Sequence, residues 1–154
     1  MRQPDEDERL MRRALALAQI AAGRGETPVG AVVVQAGKVI GEGHERTREG
    51  LDPSAHAEVE AIRNACQCLQ TLDLSACSLY TTVEPCVLCG YAVRRTRITR
   101  VIYGVPAGQA GAVTSKYTVL TDADVIGWSA PPIVRAGILA NDCLEMLRRS
   151  VRRG

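Results

Sequence analysis

Four residues carry the chemistry this chain can do. His56 and Glu58 are separated by one alanine, and Cys86 and Cys89 follow in Pro85-Cys86-Val87-Leu88-Cys89. Imidazole and two thiolates are good zinc ligands. Structural zinc usually takes four protein ligands, whereas catalytic zinc takes three and keeps one position for water. His56, Cys86 and Cys89 supply three, and no second CxxC or His pair supplies a fourth. Taken alone, Pro-Cys-x-x-Cys also suits a redox pair or half a zinc ribbon, and His-x-Glu also suits a solvated helix start. In this order and together they point to one zinc ion that acidifies a water. Glu58 is better used beside that water as a proton carrier than as a ligand.

The rest of the composition bounds the setting. The 154 residues are 46% hydrophobic and 23% charged, which excludes disorder and suits one soluble domain spanning 1–154. The start, Met1 to Glu8, lacks the apolar core of a signal peptide, and no apolar run reaches the roughly 18 residues of a membrane span. The six cysteines are therefore expected as reduced thiols and metal ligands, and the cytoplasm as the compartment. A net charge of +2 gives no strong field for nucleic acid. Basic clusters at Arg94, Arg95, Arg97 and Arg100, and at Arg148, Arg149, Arg152 and Arg153, are expected to decorate helix C-termini. Aromatic residues are 3%, with no Phe, so stacking platforms for bases are scarce.

The elements that must position the four residues alternate between helix and strand. Leu10, Ala14, Leu17, Ala18 and Ala21 predict a helix over 5–22, ended by Gly23 and Gly25. Val29–Val34 and Lys38–Gly43 predict a hairpin about Gln35-Ala36-Gly37. Residues 45–53 read as a loop, 55–69 as a helix, 78–82 as a buried strand and 86–95 as a helix. A strand over 101–105, a Gly-rich loop over 106–115, a strand over 133–135 and a helix over 138–149 complete the order. Such alternation implies an α/β sheet covered by helices. It puts both metal-binding motifs at helix starts after strands, where open α/β sheets place their ligands. Residues three apart on a helix share a face, so Cys86 and Cys89 can grip one ion.

These motifs resemble the cytidine-deaminase superfamily, whose zinc deaminases carry H-x-E…P-C-x-x-C. The resemblance also rests on Pro28–Val34, Gly41-Glu42-Gly43, Asp52–Glu58 and Thr81–Cys86. It runs from about Leu10 to Gly104 and returns in Gly137–Cys143. Within the superfamily the chain is similar to the branch of bacterial tRNA adenosine deaminases, guanine deaminases and small cytosine deaminases. The resemblance implies a three-layer α/β/α fold with a five-stranded mixed sheet, one zinc and a homodimer. It also implies that Glu58 passes the water's proton to a ring nitrogen and then to the departing amine.

Departures from the tRNA enzymes shape the expected substrate. Glu45 stands where they carry a base-binding asparagine, and Ala107 and Gln109 stand where they carry an Asp and a Lys that touch the anticodon. The last helix ends in Leu147–Arg153, where theirs has paired phenylalanines. An ionised Glu45 accepts hydrogen bonds only, which suits a base presenting N–H groups. The expected substrate is therefore a small base or nucleoside, guanine- or cytosine-like, released as ammonia and the oxo product. The alternative is the wobble adenosine of tRNA; an alternative of another class is a non-catalytic zinc or RNA-binding module. The expected substrate contacts are Glu45, Val29, Ala57, Glu84, Pro85 and His44, with Trp128 and Tyr117 as a lid.

Overall fold

The computed structural model describes residues 5–124 and 127–153, with side chains as far as Arg149. The first four residues and the side chains of Arg152 and Arg153, part of the C-terminal basic cluster, lie outside the described residues.

Helix α1 (Glu6–Gly23) begins at Asp5, whose carboxylate accepts the Asp7 N–H, and three acids occupy its first turn. The hairpin pairs β1 (Gly30–Gln35) with β2 (Lys38–His44). Ala36 and Gly37 both have positive φ, 50° and 77°, as a two-residue primed turn requires. Next come α2 (Thr47–Gly50), α3 (Ala57–Leu69), β3 (Cys77–Val83), α4 (Val87–Thr96), β4 (Arg100–Val105), β5 (Ile133–Ala136) and α5 (Ala140–Arg153). The expected sheet has five strands in the order β2-β1-β3-β4-β5. It is mixed, as expected: β1 runs antiparallel to both neighbours, while β3, β4 and β5 are parallel.

Strand parity sorts the core into two faces. Val29, Ala31 and Val33 pack with Leu79 and Val101 against Ala57, Ala61 and Ile62 of α3 and Val93 of α4. Val32, Val34, Tyr80 and Ile102 pack on the opposite face against Leu10, Met11 and Ala14 of α1 and Cys143 of α5. Burying each such Val, Leu or Ile contributes about 1.5–3 kcal/mol. The three-layer arrangement follows directly from this alternation.

The helix expected over 55–69 starts at Ala57, the last helix runs on to Arg153, and two further differences have a clear cause. The 45–53 loop contains the single helical turn α2, too short to leave a periodic signal. The last helix starts at Ala140, not Ile138, because Gly137 and Leu139 have positive φ of 85° and 51°. Arg94 is a larger correction. It is 3% exposed, so it does not decorate the helix end. Its guanidinium donates to the carbonyls of Val119, Asp122 and Ser129, pinning the segment that follows β4 to α4.

One buried ionic cluster joins α1 to the sheet. Asp7 accepts from the Tyr80 hydroxyl at 2.6 Å and pairs with Arg100 and Arg135. Burial pushes its carboxyl up, but Tyr80 and the two guanidinium groups prevail and hold it below its ordinary 3.8. A depressed carboxyl stabilises the fold above its unfolded-state value and loses that contribution as pH falls through the folded value. Asp7→Asn is therefore expected to lower Tm at neutral pH, with the gap from wild type closing below about pH 4. Thermal melts from pH 3 to 7 check this; a gap that stays constant with pH contradicts it.

Candidate metal centre and active site

The approach of α3 to β2 sets the site. A Cβ at Gly41 would lie 2.3 Å from the Ala61 carbonyl, and one at Gly43 would lie 2.2 Å from the Ala57 carbonyl. Only glycine permits this closeness, and Ala57, Ala61 and Ala65 supply the matching small face of α3. The N-terminus of α3 is thereby held beside the end of β2. The N-terminus of α4 arrives at the same place from the end of β3, through Glu84 and Pro85.

His56 is the N-cap of α3 and Cys86 the N-cap of α4, both in extended backbone conformation. Neither side chain caps its own helix, so both are free to turn toward each other. The His56 Nδ1 atom lies 3.5 Å from Cys86 Sγ and 3.5 Å from Cys89 Sγ, and the two sulfurs are 3.9 Å apart. A tetrahedral zinc at about 2.3 Å from sulfur and about 2.0–2.1 Å from nitrogen sets its ligands about 3.8 Å (S to S) and about 3.6 Å (N to S) apart. The observed separations fit that ion, with one position left over. Among the described residues, this is the single group of three or more potential ligands that could hold a metal.

The three groups are also coupled electrostatically. The hydrogen bond to Cys86 raises His56 to about 9 against the effect of burial. Cys86 falls to about 4 through its hydrogen bond with Cys89, opposed by burial and aided by His56. Cys89 moves strongly upward, because Cys86 and burial both favour its protonated form. The two helix N-termini add partial positive charge that favours thiolate. Glu58, in the first turn of α3, is 4% exposed. Burial pushes its carboxyl up to about 8, with the Cys86 thiolate adding to the shift and His56 opposing it. A carboxyl near neutrality can both take and give a proton.

The expected substrate contacts divide. Glu45 continues the parity of Gly41 and Gly43 and turns toward α3. Burial raises its carboxyl, while His56, the Thr47 hydroxyl at 3.1 Å and the Ala57 N–H favour its charge. Val29 is buried at this end of β1, and its carbonyl accepts the Glu45 N–H at 3.1 Å. Ala57 opens α3 with no exposed surface. The Pro85 carbonyl accepts the Ala112 N–H at 2.9 Å.

Four expected contacts have other surroundings. His44 has the opposite parity and pairs across from Gly30, which packs on α1. It lines a cleft of 470 Å³ between α1 and α3, with Leu17, Arg24, Glu60 and Arg63, that does not include the metal ligands. Trp128 makes an edge contact with Tyr91, centroids 5.8 Å apart, and lies 5.0 Å under the Arg94 guanidinium on the outer side of α4. Tyr117 is 51% exposed, 5.1 Å from the Lys116 ammonium group. Glu84 is consumed structurally: its carboxylate accepts from the N–H groups of Ala107, Val113 and Thr114 and from the Thr114 hydroxyl. Burial raises that carboxyl, but these donors outweigh it and hold it below its ordinary range.

Glu84→Gln would turn an NH2 group toward donors that need an acceptor. A buried donor left unpaired costs about 1–3 kcal/mol, so Tm is expected to fall by about 5 °C, with faster proteolysis in the 106–115 loop. An unchanged melt and an equally protected loop would contradict this anchoring role.

Sequence reasoning missed Glu26 and Thr47. Glu26 is 3% exposed and accepts the N–H groups of Arg48 and Glu49, which lie more than twenty residues away, so no local pattern could show the pairing. Among the described residues, no helix is long and apolar enough to cross a membrane.

Known proteins share this arrangement. The profile of the cytidine and deoxycytidylate deaminase zinc-binding region matches residues 4–105. A tRNA-specific adenosine deaminase of Aquifex aeolicus is 36% identical over 147 residues, covering 94% of this chain and 97% of that protein. A solved structure from work on A-to-I editing by tRNA:A34 deaminases superposes with a TM-score of 0.83 at 37% identity, covering 90% of this chain and 98% of that one. Guanine deaminase from Bacillus subtilis is 34% identical with a TM-score of 0.64, covering 80% of this chain and 82% of that one. With the His-x-Glu and Pro-Cys-x-x-Cys segments both inside the matched region and the ligand atoms at zinc spacing, the chain belongs to the cytidine and deoxycytidylate deaminase zinc-binding family and is a zinc-dependent hydrolytic deaminase.

Proposed function

We propose that residues 1–154 form one zinc-dependent domain that deaminates adenosine in RNA, at the first anticodon position of tRNA, to inosine. The observation that carries this reading is the likeness to tRNA adenosine deaminases over nearly the full length of both chains. The small-base substrate expected from the departures at Glu45, Ala107 and Gln109 therefore becomes the second reading. A small domain without a membrane-spanning helix among its described residues suits work on tRNA in the cytoplasm.

His56, Cys86 and Cys89 are assigned as the zinc ligands. Zinc bound there supplies a water acidified toward a pKa of about 7. Glu58, buried beside the three ligands, takes the proton from that water. It gives that proton to the ring nitrogen next to the reacting carbon, and a second proton, from the hydroxyl added at that carbon, passes through it to the departing amine. Glu45, with Val29 and Ala57 behind it, orients the base. The exposed side chains of Val87, Leu88 and Tyr91 on α4 form an apolar surface next to the site, which supports a homodimer.

Glu45 itself favours the second reading, a free base such as guanine. Adenine's ring edge offers acceptors apart from its amine, whereas guanine offers N1–H to a carboxylate. Opposing an acceptor to Glu45 would cost about 1–3 kcal/mol. Ammonia release across an anticodon stem-loop RNA, adenosine, guanine and cytosine separates the two. The RNA is expected to give the highest kcat/KM; guanine giving the highest value would overturn the RNA reading in favour of the base.

A further inference from the structure

Glu26 is a buried charge that zinc ligation and proton transfer leave unexplained. It sits in the turn after α1 with 3% of its surface exposed. Its Oε1 accepts the Arg48 N–H at 3.0 Å and its Oε2 accepts the Glu49 N–H at 2.7 Å. Those amides immediately follow Thr47, whose hydroxyl donates to the Glu45 carboxylate. The same turn holds the Glu45 backbone, through its N–H to the Val29 carbonyl. Outside this core the two segments are tied by Arg24–Glu49, an ion pair too exposed to fix a geometry firmly.

We propose that Glu26 is a positioning residue for Glu45: by gripping the two amides after Thr47, it fixes the hydroxyl that aims the Glu45 carboxylate at the base. The residue type follows from the geometry. Two backbone N–H groups converge on two oxygens, and only a carboxylate offers both. Glutamine would turn its NH2 toward one amide, and aspartate is one methylene short. A buried carboxylate is expensive to desolvate, and a second acid near Glu45 adds repulsion, which also favours Glu45 protonation. A neutral turn would hold the loop at lower cost, so the charge is better explained by the orientation it enforces.

The inference rests on Glu45 facing the base, and the test separates the two. In zinc-loaded enzyme, kcat and KM are measured for wild type, Glu26→Gln, Glu45→Gln and the double variant on the two best substrates of the panel. Misplacing a positioning group by about 1 Å costs up to about 10²-fold. Glu26→Gln is expected to shift the ratio of the two kcat/KM values about tenfold, in the same direction as Glu45→Gln. In the Glu45→Gln background it should add less than about twofold, because residues acting through one another are not additive. Thr47→Val cuts the next link in the chain, and it should reproduce the ratio shift even where Glu26→Gln folds poorly. If Glu45→Gln shifts the ratio and neither Glu26→Gln nor Thr47→Val does, the positioning role is overturned while the reading of Glu45 stands. If Glu45→Gln leaves the ratio unchanged, that reading fails and takes this one with it.

Discussion

Glu58→Gln is expected to lower kcat by about 10²–10⁴-fold, the usual contribution of a general acid–base group, while the fold and one zinc per chain persist. Glutamine matches glutamate in shape but can neither take the water's proton nor return it to the amine. Stability should survive because the site already favours a neutral side chain: burial holds the Glu58 carboxyl at about 8. A neutral amide in that place removes a charge that was costly to bury. Single-turnover kinetics, metal analysis and circular dichroism on the same preparation distinguish lost chemistry from lost structure. Near wild-type turnover in Glu58→Gln would mean that another group moves the proton.

Removing the zinc should abolish turnover altogether and leave the fold standing. Both core clusters are built without His56, Cys86, Cys89 or Glu58, so the packing does not depend on the metal. Without the metal the pKa of water returns from about 7 to 15.7, and hydroxide near neutral pH becomes vanishingly scarce. Dialysis against a chelator is expected to take activity below detection, and stoichiometric zinc to restore it. At about a thousandfold excess over its dissociation constant, zinc should also stabilise the protein by about 4 kcal/mol. Full activity after verified metal loss would contradict the assignment of His56, Cys86 and Cys89, as would a Cys86–Cys89 disulfide in reduced protein.

Local patterns carried much of this architecture into the sequence. A continuous apolar run marked β1, the Ala36-Gly37 turn marked its hairpin with β2, and helical spacing marked α1 and α3. His56, Glu58, Cys86 and Cys89 were legible because each pair lies within four residues, and helix starts bring the pairs together. What the sequence hid depends on distant partners. Glu84 reads as part of a substrate motif, yet its carboxylate is spent on residues 107–114. Arg94 reads as a surface cation, yet carbonyls from 119 to 129 enclose it. His44 and Glu45 are adjacent in sequence, and strand parity sends them to opposite faces of the sheet. Parity is readable in principle, but it becomes decisive only once Gly43 is seen against α3.

The most direct test follows the oxygen. An anticodon stem-loop with adenosine at its first anticodon position is incubated with zinc-loaded enzyme in oxygen-18-labelled water, and the RNA is digested and weighed by mass spectrometry. The account predicts inosine carrying one labelled oxygen at that position, one ammonia released per inosine, and both products forming about 10²–10⁴-fold more slowly with Glu58→Gln. Unchanged adenosine in the RNA, alongside ammonia released from free guanine by the same preparation, would contradict it.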